Sequence, residues 1–224
     1  MRFNNYLNEA DLPFGQFIQL LDKDCKKIID LYKKTNSFLW RGTDHSKDFL
    51  IKKGHKTERE PIDIPVPIHK HLNKMFKKKF GWNVRDGIFV SPDLLQAEQY
   101  GGNLPYMFFP AKQFKYVWSP DIDDLNGESV ITNAGSDIFF LPKKDRQAYL
   151  EGTYKYKEED NLNFMTGDEV KSEFKEIFDT YTDKGLIVNL RKGLNGTEMS
   201  FKADNYYLVA YKHMDKLKRY WNMK

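Results

Sequence analysis

Apolar residues in this chain follow two spacings, and the order of those spacings limits the folds it can adopt. Phe14, Phe17, Leu21, Cys25, Ile28 and Tyr32 recur at steps of three and four with lysines and aspartates between them, which predicts one amphipathic helix over 14–35. Ile68, Leu72, Met75, Phe76 and Phe80 repeat the pattern and predict a second helix over 67–80. Further on, the apolar residues come mainly in short runs: GIFV (87–90), PYMFFP (105–110), QFKYVW (113–118), SDIFFL (136–141), GLIVNL (185–190), TEMSFK (197–202) and YYLVAYK (206–212). Runs of this length, rich in aromatic and β-branched residues, predict strands. FLWRGT (38–43) is an early run of the same kind. Helices first and strands later predict the α+β class, in one domain over 1–224.

Local signals refine this outline. Ser91, Pro92 and Gly101 predict a short helix over 92–100. Ser119-Pro120-Asp121-Ile122 repeats the start signal. Thr166 and Glu169 form a capping box that opens a helix running to about Tyr181. A last helix is predicted over 213–222. Residues 43–65 and 151–164 are polar and read as loops.

With 40% hydrophobic and 30% charged residues in 224, the chain has the composition of a folded protein rather than a disordered one. Its single cysteine, Cys25, allows no internal disulfide and fits a reducing compartment. Its place on the apolar stripe makes it a core residue. No run approaches the roughly 18 apolar residues that cross a bilayer, and MRFNNYLNEADLPFG lacks the apolar segment of a signal peptide. The expectation is a cytoplasmic protein without a membrane partner. The net charge of +4 is mild, but Lys70, Lys74, Lys77, Lys78 and Lys79 form one cluster, and Lys212, Lys216, Lys218, Arg219 and Lys224 another. Such clusters are either docking surfaces for a phosphate backbone or solvated helix faces.

Common catalytic signatures are missing. The sequence has no G-x-x-x-x-G-K-[ST], no G-x-G-x-x-G after a strand, no H-E-x-x-H and no G-x-S-x-G. His69 and His71 stand only two apart, so no metal site is expected. What remains is a recurring arrangement: a polar residue at the end of, or on, an apolar strand. These residues are Arg41 in FLWRGT, Ser91 in GIFVSP and Glu198 in GTEMSFK. Taken singly, each has an ordinary account. Arg41 can pair with a carboxylate at a strand end, Ser91 can cap the helix after it, and alternation puts Glu198 on a solvated face with Ser200 and Lys202.

Together, and in this order, they resemble the R-S-E class of ADP-ribosyltransferases. The matching pieces are Trp40-Arg41-Gly42 after an amphipathic helix; Phe89-Val90-Ser91 followed by Ala97 and Tyr100; and Glu198 ahead of Tyr206–Ala210. The likeness covers about residues 17–212. It implies two small, roughly perpendicular sheets around an NAD cleft, with N-terminal helices on one side. It also implies NAD as cofactor and a macromolecular acceptor, protein or nucleic acid, with release of nicotinamide. Arg41, Gly42, Thr43, Phe89, Ser91 and Tyr100 would bind NAD; Glu198, Arg41 and Ser91 would carry the chemistry. Small transferases of this kind occur among bacterial toxins and phage effectors.

Elementary chemistry agrees with these roles. A guanidinium offers a rigid fork of donors to phosphate oxygens, and a glycine lets the backbone approach a flat carboxamide. A fixed carboxylate opposes the positive charge that builds on the ribose as the glycosidic bond breaks. The chain departs from the arginine-directed members of the class at Gly196, where they carry a second acidic residue two places before the glutamate. Glu158, Glu159 and Asp160 are candidate substitutes. Two other readings stay open: a nucleic-acid-binding module, or an inactive interaction protein on the same fold.

Overall fold

The stripe over 14–35 is cut at Cys25. In the computed structural model, which describes residues 12–55, 58–61, 64–99, 104–155 and 164–224, this region forms α1 (Phe14–Asp24) and α2 (Lys26–Thr35) in place of one long helix. The Asp24 carbonyl accepts from Lys112 N, and Cys25 leaves helical geometry at φ −118°, ψ 18°. Its carbonyl accepts from Ile28 N and Ile29 N, so helix resumes at once. The apolar face survives the break, with Phe17, Leu21, Cys25, Ile28 and Tyr32 all buried.

Among the described residues, seven strands make two small antiparallel sheets, so the class is α+β. The first has the order β1 (Trp40–Thr43), β4 (Leu104–Pro110), β7 (Asn205–Ala210), β2 (Phe49–Lys53). The second has the order β3 (Ile88–Val90), β6 (Met199–Lys202), β5 (Lys115–Trp118). β2 lies inside the stretch predicted as loop: its apolar run is only Phe49, Leu50 and Ile51, set among polar residues, and as an edge strand it buries only Leu50 fully while pairing with β7. An isolated bridge joins the sheets, with Trp40 N donating to Ser91 O (2.7 Å) and Ser91 N to Trp40 O (3.0 Å).

The second sheet lies between two cores. Ile88, Val90, Met199 and Phe201 face the core built on α1, α2, the first sheet and α9 (Met214–Tyr220). Val117, from the opposite face, joins the core under α3 (Val66–Phe80), α5 (Ser129–Phe140), α6 (Arg146–Leu150) and α7 (Gly167–Thr180). The Thr166–Glu169 capping box opens α7 as predicted.

Two predicted strands are helices. SDIFFL ends α5, where Val130, Ile131, Ala134 and Ile138 are buried at helical spacing. GLIVNL is α8 (Leu186–Lys192), which buries Leu186, Asn189 and Leu190 and leaves Val188 exposed. The Ser119 signal starts no α-helix. Its buried hydroxyl accepts from Asp121 N and Ile122 N, closing a turn ahead of a 3₁₀ segment at Leu125–Gly127. Among the described residues, no helix is long and apolar enough to cross a membrane.

Candidate active site

The register of the second sheet decides what meets at the junction of the sheets. Val90 pairs with Met199, so the next positions outward, Ser91 and Glu198, stand opposite each other. Trp40 is bridged to Ser91, which brings Arg41 alongside. The three residues singled out in the sequence are therefore gathered from three distant segments.

Their surroundings differ. Ser91 is fully buried; its Oγ donates to Gln96 Oε1 (2.5 Å) and accepts from Asp93 N (3.0 Å). It does not cap the helix after it. The bridge keeps Ser91 extended, and α4 starts two residues late (Leu94–Gln99), capped by Asp93, whose Oδ1 accepts from Leu95 N (2.8 Å). Gln96 Nε2 and Glu198 N both donate to Asp123 O, at 2.9 and 3.1 Å. Ser91 and Glu198 are thus linked through Gln96 and the Asp123 carbonyl.

Glu198 does not lie on a solvated face. Its side chain is 11% exposed and stands 3.6 Å from Arg85 Nη1. Neighbouring Ser200 is also buried, its Oγ donating to Val84 O (2.6 Å). The alternation rule fails here because α3, the 3₁₀ turn Val84–Asp86 and Tyr181 cover this face. Burial pushes the Glu198 carboxyl up to about 7; Asp124 raises it further, while Arg85 and Arg59 oppose the rise. The approach to Glu198 is clamped. Asn189 Oδ1 accepts from Thr197 N, Asn189 Nδ2 donates to Thr197 O, and Thr197 Oγ1 donates to Ser119 O.

Arg41 is partly buried and donates from Nη1 to the Phe89 carbonyl (2.8 Å). Burial pulls its pKa down, with the charge of Arg59 acting the same way. Gly42 lies on the opposite face of β1, paired with Pro105, while Thr43 Oγ1 accepts from His45 N. Phe89 is buried, and its ring carries two further guanidinium groups, Arg85 at 4.8 Å and Arg59 at 5.3 Å. Tyr100 and the acidic run Glu158, Glu159 and Asp160 lie outside the described residues.

The sequence reading did not find Arg59, Arg85 or what fixes them. Asp86 Oδ1 interacts with His69 Nε2 (3.0 Å) and accepts from Asn73 Nδ2 (3.0 Å) and Arg59 N (3.2 Å); its Oδ2 accepts from Asn83 Nδ2 (3.0 Å). Asn73 Oδ1 in turn accepts from Arg85 N (2.9 Å). The one available signal was His69 and Asn73, four apart on α3 and polar on a face that turns inward. Burial lowers the His69 pKa, and Asp86 works against that. Beyond Asp86 a cavity of about 240 Å³ opens between His55, Lys77, Trp82 and Lys202.

The basic clusters are partly committed. Lys74 pairs with Glu151 (2.7 Å), Lys79 donates to Phe178 O (2.5 Å), and Lys212 pairs with Asp48.

Arg41 at the Phe89 carbonyl, with Arg59 and Arg85 over its ring, gathers three guanidinium groups at one residue, a set that suits the oxygens of a diphosphate. The buried Glu198 carboxyl, beside Arg85, suits a developing cation when ionised. No known family model matches this chain, nor does any curated protein or solved structure.

Proposed function

We propose that the protein transfers ADP-ribose from NAD to a macromolecular acceptor, with release of nicotinamide. One observation carries the reading: the Trp40–Ser91 bridge and the β3–β6 register bring Arg41, Ser91 and Glu198 to a single junction between two small sheets. The charges of these side chains complement those of NAD. Arg41 and Arg59, both beside Phe89, would hold its diphosphate, while Arg85 stays against Glu198. When bound, NAD supplies an activated glycosidic bond. Glu198 would then oppose the positive charge developing on the ribose, and its clamp through Asp123, Thr197 and Asn189 holds that charge in place before the reaction starts. Ser91 acts through Gln96 to hold the segment facing Glu198. The split core of an ADP-ribosyltransferase is part of the same proposal. The nucleic-acid-binding reading has less support, since Lys74, Lys79 and Lys212 already have partners.

The test uses NAD labelled on its adenylate, a cell lysate, and wild type beside Glu198→Gln. The expected result is nicotinamide release and macromolecular label with wild type, both lower by at least ~10²-fold in the variant. A variant that turns over like wild type removes Glu198 from the role, and a wild type that releases no nicotinamide overturns the function.

A further inference from the structure

Two like charges meet at Phe89. Arg41 Nη1 donates to the Phe89 carbonyl (2.8 Å), and the Arg59 guanidinium lies 5.3 Å from the centre of the Phe89 ring. In the proposed function, on which this inference rests, that pair holds a diphosphate. Before the diphosphate arrives the two groups repel, and the charge of Arg59 helps to pull the Arg41 pKa down. Arg59 belongs to no helix or strand, so no ladder of hydrogen bonds fixes its main chain. A long side chain on such a segment gains freedom and loses repulsion by swinging into water. Ligand binding would then have to order Arg59 and bring it back beside Arg41.

The main chain of Arg59 is pinned instead by a carboxylate. Arg59 N donates to Asp86 Oδ1 (3.2 Å), while its guanidinium reaches Phe89, three residues further along the same segment. Arg59 therefore lies lengthwise along the run from the 3₁₀ turn Val84–Asp86 into β3, with its backbone at one end and its charge at the other. Asp86 is itself fixed. Its side chain is only 13% exposed. Oδ1 interacts with His69 Nε2 (3.0 Å) and accepts from Asn73 Nδ2 (3.0 Å), both on α3, and Oδ2 accepts from Asn83 Nδ2 (3.0 Å).

On charge alone, Asp86 works against an anion-binding site, because a carboxylate near the guanidinium pair repels a diphosphate. We infer that Asp86 is a positioning residue: its hydrogen bond to the Arg59 main chain holds Arg59 beside Arg41, so that a diphosphate meets the pair already assembled. The contribution is geometric, and its sign is opposite to that of the charge. Substitutions separate the two. Alanine removes tether and charge together. Asparagine removes the charge but keeps Oδ1 as acceptor for Arg59 N, and the Asn83 amide can turn over to accept from the new Nδ2.

The experiment titrates ADP-ribose calorimetrically into wild type, Asp86→Ala, Asp86→Asn, Arg59→Gln and the double variant Asp86→Ala/Arg59→Gln, each checked by its melting curve. ADP-ribose carries the diphosphate without nicotinamide, so binding is read without turnover. Asp86→Ala should weaken binding by about 10-fold, the scale of losing one such hydrogen bond and the order it imposes. Asp86→Asn should bind at least as tightly as wild type. The double variant should bind no more weakly than Arg59→Gln alone, because a tether to Arg59 has nothing left to hold. With NAD, the Asp86→Ala loss should fall on KM more than on kcat.

Binding by Asp86→Ala as tight as wild type, or tighter, overturns the proposal, and so do losses that simply add in the double variant. If Asp86→Ala does not fold, Asp86→Asn decides: weaker binding than wild type would make the charge the contribution and overturn the tether. Wild type that binds no ADP-ribose removes the diphosphate site and this role with it. Wild type that binds ADP-ribose, follows the expected order of variants and yet releases no nicotinamide from NAD overturns the transferase function alone and leaves the role of Asp86 standing.

Discussion

At the residue scale, the protonation of Glu198 couples stability to pH. Its carboxyl titrates near 7 in the folded chain, against an ordinary value of 4.5. The folded state therefore holds a proton that the unfolded state has already released between those values. The stabilisation tied to that proton is complete below about 4.5 and is lost as pH rises through 7, on the order of 3 kcal/mol. Urea midpoints of wild type should fall relative to Glu198→Gln between pH 5 and 8. Parallel curves for the two proteins would mean that Glu198 is not buried as described. Under the proposed function the carboxylate is the active form, so nicotinamide release is predicted to rise over the same interval. Arg41, Ser91 and Glu198 were legible because each ends or interrupts an apolar run. Arg59 and Arg85 were not, because what marks them is proximity to Phe89: Arg59 comes from a separate segment, and the short step from Arg85 to Phe89 runs from a 3₁₀ turn into a strand, where no regular spacing applies.

At the element scale, the two helices read as strands share one cause. SDIFFL and GLIVNL carry strand-like residues, but six residues are too few to separate a period of 2 from one of 3.6. Over the twelve residues of α5 the helical spacing of Val130, Ala134 and Ile138 is plain. Adjacent residues at its end should then behave oppositely. Ile138→Ala removes a buried side chain and should cost about 2–5 kcal/mol. Phe139→Ala, at a position 70% exposed, should stay within about 0.5 kcal/mol of wild type. Chemical denaturation of both variants checks this, and equal losses would contradict the helix. β2 was missed for the opposite reason: an edge strand with one fully buried residue leaves little apolar pattern to read.

At the scale of the whole molecule, the second sheet serves two cores at once. Met199 and Phe201 pack into one, while Val117 packs into the other. Neither core can lose its packing without exposing a face of the shared sheet, so the described body should unfold in one step. Trp82 reports on one core and Trp40, Trp118 and Trp221 on the other. Tryptophan fluorescence and far-UV circular dichroism should give the same urea midpoint; separated midpoints would show that the cores melt independently. The class and both sheets' strand-forming runs, apart from β2, were readable from periodicity. The division into two cores was not, since it depends on which face of each strand finds a partner.

The bridge between the sheets at Trp40 and Ser91 is made of main-chain atoms. Its consequence falls on inheritance. Side chains at the joint can drift without breaking it, but a residue gained or lost between Leu39 and Arg41, or between Val90 and Pro92, would slide one strand past the other and turn Arg41 or Ser91 to the wrong face. Descendants of this chain are free to change its letters here, but not to miscount them.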